Sequence, residues 1–306
     1  MLIPEKLRRG DTVVIIAPSS PILEKDKEYI EKSKRMLESV GLNVEFSNYC
    51  YSNSTGYGAM AKEKALDINE CFANPKYKAL IIAKGGANSN SAFEYIDFDL
   101  ISKNPKIICG FSDSTSITNM ITEKSNIITF NGPTFKSFSS WETDYSFRKF
   151  VNSFMDDDIN LYDEDDNLEV VKSGKAVGEL IGGNLSLIAR MTAGKYRIAF
   201  KNKILFIEEL GFESDPEMCS GNLYYLRQNG VFNDIKGIWV GNYEHEMGIE
   251  LEKILIDVLE DEYNFPIIKT NNFGHIDKKI VIPVGAIAKI DTNADKKIEL
   301  LEKCVK

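Results

Sequence analysis

Ser112 lies in the run Gly110-Phe111-Ser112-Asp113-Ser114-Thr115, between an apolar strand signal that ends at Gly110 and a helix signal that begins near Ser114. Ligands of open parallel sheets bind at the carboxyl ends of the strands, so such a turn sits at the chemically useful edge. A serine on a strand-to-helix turn has its hydroxyl held up at the tip, as in a nucleophile elbow, and the amide of Asp113 would then point at a developing oxyanion. The run is not G-x-S-x-G, and a plainer use competes: Ser112, Asp113 or Ser114 capping the helix. A second turn, Lys84-Gly85-Gly86-Ala87-Asn88-Ser89-Asn90, leaves the apolar run 79–83. Paired glycines let backbone approach a ligand and can present amides as a nest, or they can make an ordinary strand-to-helix turn. No Gly-Lys-Ser/Thr follows, so this is not a P-loop.

A serine nucleophile needs a base, and the chain has two histidines, His245 and His275. His275 follows Phe273-Gly274 in a polar loop ahead of a strand signal ending at Pro283, whereas His245 sits between Glu244 and Glu246, where a solvated position is expected. His275 is the expected base. Glu208 closes the apolar run Ile204-Leu205-Phe206-Ile207. A carboxylate at the tip of a buried strand is fixed in position and can serve that base, while Glu209 faces the other way; a surface charge at a strand end is the alternative for either. Other chemistries fit less well. Cys109 is embedded in a strand between Ile108 and Gly110, the histidines show no H-E-x-x-H or H-x-H spacing for a metal, and Gly56, Gly58 and Ala61 match G-x-G-x-x-A without a preceding strand.

The groups must be carried by an alternation of strands and helices. Residues 12–17 form a β-branched run closed by Pro18-Ser19-Ser20-Pro21; Tyr29, Ile30, Met36, Leu37 and Val40 then share a helical face that ends before Gly41. Strand signals follow at 44–46, 79–83, 107–110 and 127–130, with helix signals at 60–72 and 114–123. This rhythm predicts a doubly wound parallel sheet. The acidic stretch 156–166 interrupts it and reads as a linker, giving a first domain over 1–160 and a smaller mixed α/β domain over 161–306. The second half shows strand signals at 175–181, 204–208, 235–240 and 280–290 and helix signals at 184–192, 216–228 and 249–260, without the regular alternation of the first.

Composition narrows the function classes. The 306 residues suggest two domains, and with 37 basic against 46 acidic residues the net charge of −9 disfavours nucleic acid and anionic membranes as partners. Five scattered cysteines with no C-x-x-C pair read as free thiols, and neither a signal-peptide core nor a membrane-length apolar run is evident, so a cytoplasmic location is expected.

Taken in order, Gly10-Asp11 with Ala17-Pro18-Ser19-Ser20-Pro21, Gly85-Gly86, Gly110-Phe111-Ser112-Asp113, Gly132-Pro133, Ile181-Gly182-Gly183-Asn184-Leu185, Phe206-Ile207-Glu208-Glu209, Phe273-Gly274-His275 and Pro283-Val284-Gly285 resemble the LD-carboxypeptidase family of serine peptidases. That family includes muropeptide carboxypeptidases and microcin C self-immunity proteins. The resemblance implies a Rossmann-like or flavodoxin-like first domain and a triad of Ser112 as nucleophile, His275 as base and Glu208 as its orienter. It also implies an oxyanion hole from the amides of Gly86 and Asp113, no metal or organic cofactor, and a homodimer.

Two departures bear on substrate. Muropeptide members typically carry arginine before the paired glycines, where this chain has Lys84, and Asn88-Ser89-Asn90 with Gly132-Pro133-Thr134-Phe135 look more like the immunity branch. That branch also carries an aromatic-bearing insertion that stacks on a nucleobase, and between Met155 and Gly178 this chain offers Tyr162 alone. Lys84, Asn88, Ser89, Asn184 and Trp141 are the expected substrate contacts. The reading is a serine hydrolase that cleaves an amide in a peptide-like substrate with a free carboxylate; the alternatives are a hydrolase of aminoacyl nucleotides and a non-catalytic ligand-binding module.

Overall fold

The structure, a computed structural model, describes residues 1–140, 143–163, 167–210 and 215–306. The chain forms two compact units, one of residues 1–159, 277–283 and 303–306 and the other of 160–276 and 284–302. Segments 277–283 and 303–306 therefore leave the second domain to which the sequence reading assigns them. Backbone pairing explains the tail, because the Lys6 amide donates to the Lys306 carbonyl at 2.9 Å and the Lys306 amide to the Pro4 carbonyl at 3.1 Å.

The first unit runs β1 (Thr12–Ile16), α1 (Lys27–Ser39), β2 (Asn43–Phe46), α2 (Ala61–Ala73), β3 (Tyr77–Ile82), α3 (Phe98–Lys103), β4 (Ile107–Gly110), α4 (Ser114–Ser125), β5 (Thr129–Asn131), α5 (Ser137–Ser140) and α6 (Tyr145–Met155). The strands lie in the order β2-β1-β3-β4-β5, and every neighbouring pair among them is parallel. This is the flavodoxin-like winding, with its switch point between β1 and β3. Every residue of β1 and β4 is buried, as the unbroken Val-Ile runs of a sheet covered on both faces require. Helix α6 has no counterpart in the sequence reading; it is fixed by edge-to-face rings, Phe154 lying 4.7 Å from Phe130 of β5 and 4.8 Å from Phe150.

The second unit runs β6 (Glu169–Lys172), β7 (Lys175–Asn184), α7 (Leu185–Arg190), β8 (Lys203–Glu208), α8 (Pro216–Gln228), α9 (Val231–Asp234), β9 (Gly237–Val240), α10 (Leu251–Leu259) and β10 (Ile267–Lys269). β7, β8, β9 and β10 pair in parallel with helices between them while β6 pairs antiparallel with β10, so the sheet is mixed, as expected, around a stretch of strand-helix alternation more regular than the sequence reading gave it. The strand of that stretch missing from the sequence reading is β10, whose three residues are too few to show a period. The single strand expected at 280–290 is two: β11 (Ile282–Val284) joins the first sheet beside β5, and β12 (Ile287–Asp291) joins the second beside β7, with β13 (Ile298–Leu300) at the edge. Among the described residues no helix is long and apolar enough to cross a membrane, and all five cysteines are buried outside any disulfide.

Candidate active site

Ser112 occupies the turn between β4 and α4 with φ of +62°, a left-handed conformation that serine seldom adopts. Because the chain reverses from strand to helix in so few residues, the serine is lifted to the tip, half-buried, while Phe111 and Asp113 on either side are buried. The Phe111 ring lies under the Lys279 ammonium, 3.3 Å from its centroid. Asp113 stands at the N-cap of α4 without a side-chain cap hydrogen bond, and the buried Ser114 hydroxyl has no partner among the described residues, so neither caps the helix.

The Asp113 carboxylate instead ties three turns together. Its Oδ2 accepts from the Ser19 hydroxyl at 2.7 Å and from the Ser89 amide at 2.9 Å, and its carbonyl accepts from the Ser89 hydroxyl at 2.8 Å. Ser19 follows β1, Ser89 follows β3 and Asp113 follows β4, so these bonds fix the carboxyl edge of the sheet at its switch point. Ser89, expected to meet substrate, spends both its donors on Asp113.

The Gly85-Gly86 turn is packed against two serine turns. A Cβ on Gly85 would fall 3.1 Å from the Ser112 hydroxyl oxygen, and one on Gly86 would fall 2.6 Å from the Ser20 hydroxyl oxygen and 2.9 Å from its amide. No side chain fits at Gly86 without displacing backbone, which is the physical reason for glycine there. Among the described residues the amides of Gly86 and Asp113 have no hydrogen-bond partner. Two unsatisfied N–H groups on the turns flanking a raised hydroxyl can stabilise a negative oxygen.

Lys84 ion-pairs with Asp26, whose other oxygen takes Lys136 at 2.7 Å. Burial would raise the Asp26 carboxyl, but hydrogen bonds from Lys136 and Lys84 overrule it and hold the group at about 2. The Lys84 ammonium is thus committed to a buried carboxylate. Asn88 is also engaged, its side-chain oxygen accepting from the Lys64 ammonium at 2.7 Å.

In the second unit, Glu208 ends β8 with 1% exposure and its Oε2 stands 2.7 Å from His275 Nδ1. The other carboxylate oxygen is buried with no hydrogen-bond partner among the described residues. Glu209 turns the opposite way, as strand alternation demands, accepting from Asn184 Nδ2 at 2.6 Å and from the Ser186 amide at 3.0 Å. Burial pushes its carboxyl up. Asn184 caps α7 by accepting from the Leu187 amide, so both ends of its amide are used locally. The preceding Gly182 shows why this stretch needs glycine: at φ of +147° a Cβ would fall 1.8 Å from the Phe206 carbonyl oxygen of β8.

His245 differs from expectation. Its side chain is 7% exposed, stacked on Tyr243 and 3.2 Å from Asp215 through Nε2, rather than solvated between its glutamates. The Asp215 side chain is 67% exposed, so this pair lacks the enclosed carboxylate that His275 has. Trp141 lies outside the described residues. Among those residues no three His, Cys, Asp or Glu side chains are grouped to hold a metal ion. Sequence reasoning missed Asp26, Lys136 and Lys64; Lys64 left a signal, since it stands four positions before Ile68 on the apolar face of α2.

Residues 13–132 match the LD-carboxypeptidase N-terminal domain and residues 177–290 the LD-carboxypeptidase C-terminal domain. The chain is 32% identical to a probable murein peptide carboxypeptidase of Bacillus subtilis, over 94% of this chain and 91% of that one. It is 26% identical to the microcin C7 self-immunity protein MccF of Escherichia coli, over 99% and 96%. A solved structure of MccF in complex with glutamyl sulfamoyl guanosine superposes with a TM-score of 0.89 at 25% identity, covering all of both chains. The chain belongs to the LD-carboxypeptidase family of serine peptidases.

Proposed function

We propose that this carboxypeptidase cleaves an amide in a peptide-like substrate with a free terminal carboxylate, using Ser112, His275 and Glu208 as a triad. The observation that carries the reading is the left-handed Ser112 turn, flanked by two amides without partners. Ser112 Oγ attacks the scissile carbonyl while His275 Nε2 takes its proton. The amides of Gly86 and Asp113 receive the oxyanion as the tetrahedral intermediate forms. His275 then protonates the leaving amine, the C–N bond breaks, and water repeats the sequence on the acyl-enzyme. Glu208 accepts from Nδ1–H, which leaves the lone pair on Nε2 and steadies the imidazolium. A cytoplasmic homodimer is part of the proposal: the five buried free cysteines suit a reducing compartment, and the dimer is what the family resemblance implies.

Similarity to the murein peptide carboxypeptidase favours the peptide substrate. A second reading, hydrolysis of aminoacyl nucleotides, is favoured by likeness over the full chain to MccF, solved with glutamyl sulfamoyl guanosine. The deciding experiment compares turnover of a muropeptide with that of an aminoacyl sulfamoyl nucleotide, each with the wild type and Ser112→Ala. Release of the terminal amino acid from the muropeptide at the higher kcat/KM, lost in the variant, is expected. Preference for the nucleotide moves the assignment to the second reading. If neither is turned over and a fluorophosphonate fails to label Ser112, the protein is a binding module.

A further inference from the structure

The buried ammonium of Lys64 has no part in the chemistry above, yet it sits beneath the turn that supplies one of the two unpartnered amides. Lys64 is 2% exposed on α2, and its Nζ donates to the Asn88 side-chain oxygen at 2.7 Å and reaches the Asn88 carbonyl at 3.4 Å. Asn88 lies two residues after Gly86 and immediately before the 3-10 turn Ser89–Tyr95. On the other side of Asn88, Ser89 is bonded twice to Asp113, whose own amide is the second without a partner. One short segment is therefore anchored to α2 at residue 88 and to the serine turn at residue 89. Burial pushes the Lys64 ammonium below its usual range, and the Asp113 carboxylate offsets part of that.

Lysines are rarely buried to this degree, because desolvating an ammonium costs several kcal/mol unless paired acceptors offset it. Asn88 offers two acceptor atoms and Asp113 a negative charge. We propose that Lys64 is a positioning residue for the oxyanion hole. Acting through Asn88, it holds the Gly86 amide in register with the Asp113 amide, and its charge offsets the Asp113 carboxylate, which would otherwise repel the oxyanion.

This rests on the triad reading, and the test separates the two. The probe is an alkyl fluorophosphonate, whose reaction with a serine builds negative charge on a phosphoryl oxygen and so reads oxyanion stabilisation without knowledge of the natural substrate. Removing a whole oxyanion donor costs on the order of 10² to 10³ in rate, so misplacing one should cost roughly 10 to 100-fold. Lys64→Met, measured well below its thermal midpoint, is expected to be labelled at a rate reduced by that factor. Lys64→Arg, which keeps the cation, is expected to recover most of it, a rescue that mere packing would not require. Asn88→Ala should be slowed several-fold with the ammonium intact, and the double variant Lys64→Met, Asn88→Ala no slower than Lys64→Met. Labelling of Lys64→Met at the wild-type rate overturns the proposal, as does equal slowing in Met and Arg variants. Should Lys64→Met not fold, wild-type labelling of Asn88→Ala overturns it instead. Failure of the wild type itself to be labelled at Ser112 would remove the triad reading.

Discussion

The φ of +62° at Ser112 can be weighed by replacing the residue twice, with alanine and with glycine, neither of which has a hydroxyl. A side chain bearing Cβ in the left-handed region costs roughly 1 to 2 kcal/mol, which glycine does not incur. Glycine in turn loses more backbone freedom on folding, about 0.5 to 1 kcal/mol relative to alanine. Taken at the middle of both ranges, the difference leaves Ser112→Gly more stable than Ser112→Ala by about 0.7 kcal/mol, and by about 1.5 kcal/mol at most, which at the middle value is about 1 to 3 °C in thermal midpoint for a unit of this size. At an ordinary helix-entry position the sign reverses and alanine is favoured by a similar amount. Both variants should be inactive, so stability and turnover are read on the same pair, by calorimetry and by muropeptide cleavage. Alanine as stable as glycine, or more so, would refute a strained elbow and return the serine to the role of an ordinary turn residue.

The remaining expectations concern the groups around that serine. His275→Ala should cost on the order of 10⁴ to 10⁶ in kcat, as Ser112→Ala does, whereas His245→Ala should keep turnover within about 3-fold while lowering stability by about 1 kcal/mol through lost contacts with Asp215 and Tyr243; comparable losses of activity from both histidines would show the base to be misassigned. Glu208→Gln should depress kcat by roughly 10² to 10⁴ with the fold retained, and near-wild-type turnover would remove Glu208 as orienter. Asp26, lowered from 3.8 to about 2 by Lys136 and Lys84 against its burial, stabilises the fold fully above pH 4 and loses that contribution as pH falls toward 2. At neutral pH, Asp26→Asn should cost about 2 kcal/mol of unfolding free energy, and the gap from wild type should narrow between pH 4 and pH 2; a gap independent of pH would mean that the ion pairs contribute nothing.

The first unit was readable because its strands are buried on both faces and must be continuous Val-Ile runs; β1, β3 and β4 show as apolar segments wherever one looks. Elements held by tertiary contact were not. Helix α6 carries Phe147, Phe150 and Phe154 at helical spacing, yet it lies between a stretch of serines and the acidic linker and goes unread until Phe130 of β5 is seen against it. β11 and β12 were merged because both are apolar and two residues separate them. That they enter different sheets depends on partners far away in sequence. The reversal at Gly285, with φ of +92°, was visible as a glycine and as nothing more.

The site divides along the same line. Ser112 and Glu208 stand at or just beyond strand ends, where composition changes abruptly from apolar to polar, and His275, in the loop between β10 and β11, is one of two histidines in the chain; such signals can be found in one dimension. Asp113 could not be read so. Beside a helix start an aspartate is locally a cap, because sequence reasoning finds partners within about four residues. Its true partners are Ser89, 24 residues away, and Ser19, 94 residues away, which only the winding of the sheet brings to one edge. Lys64 was hidden by the opposite error: a lysine is assigned to solvent by type, even where, as here, its register with Ile68 puts it on the apolar face of its helix. The residues legible in sequence are thus those proposed to make and break bonds, and those the structure adds hold backbone amides in place. Acyl transfer depends on both, since a nucleophile without a preorganised oxyanion site gains little from its base.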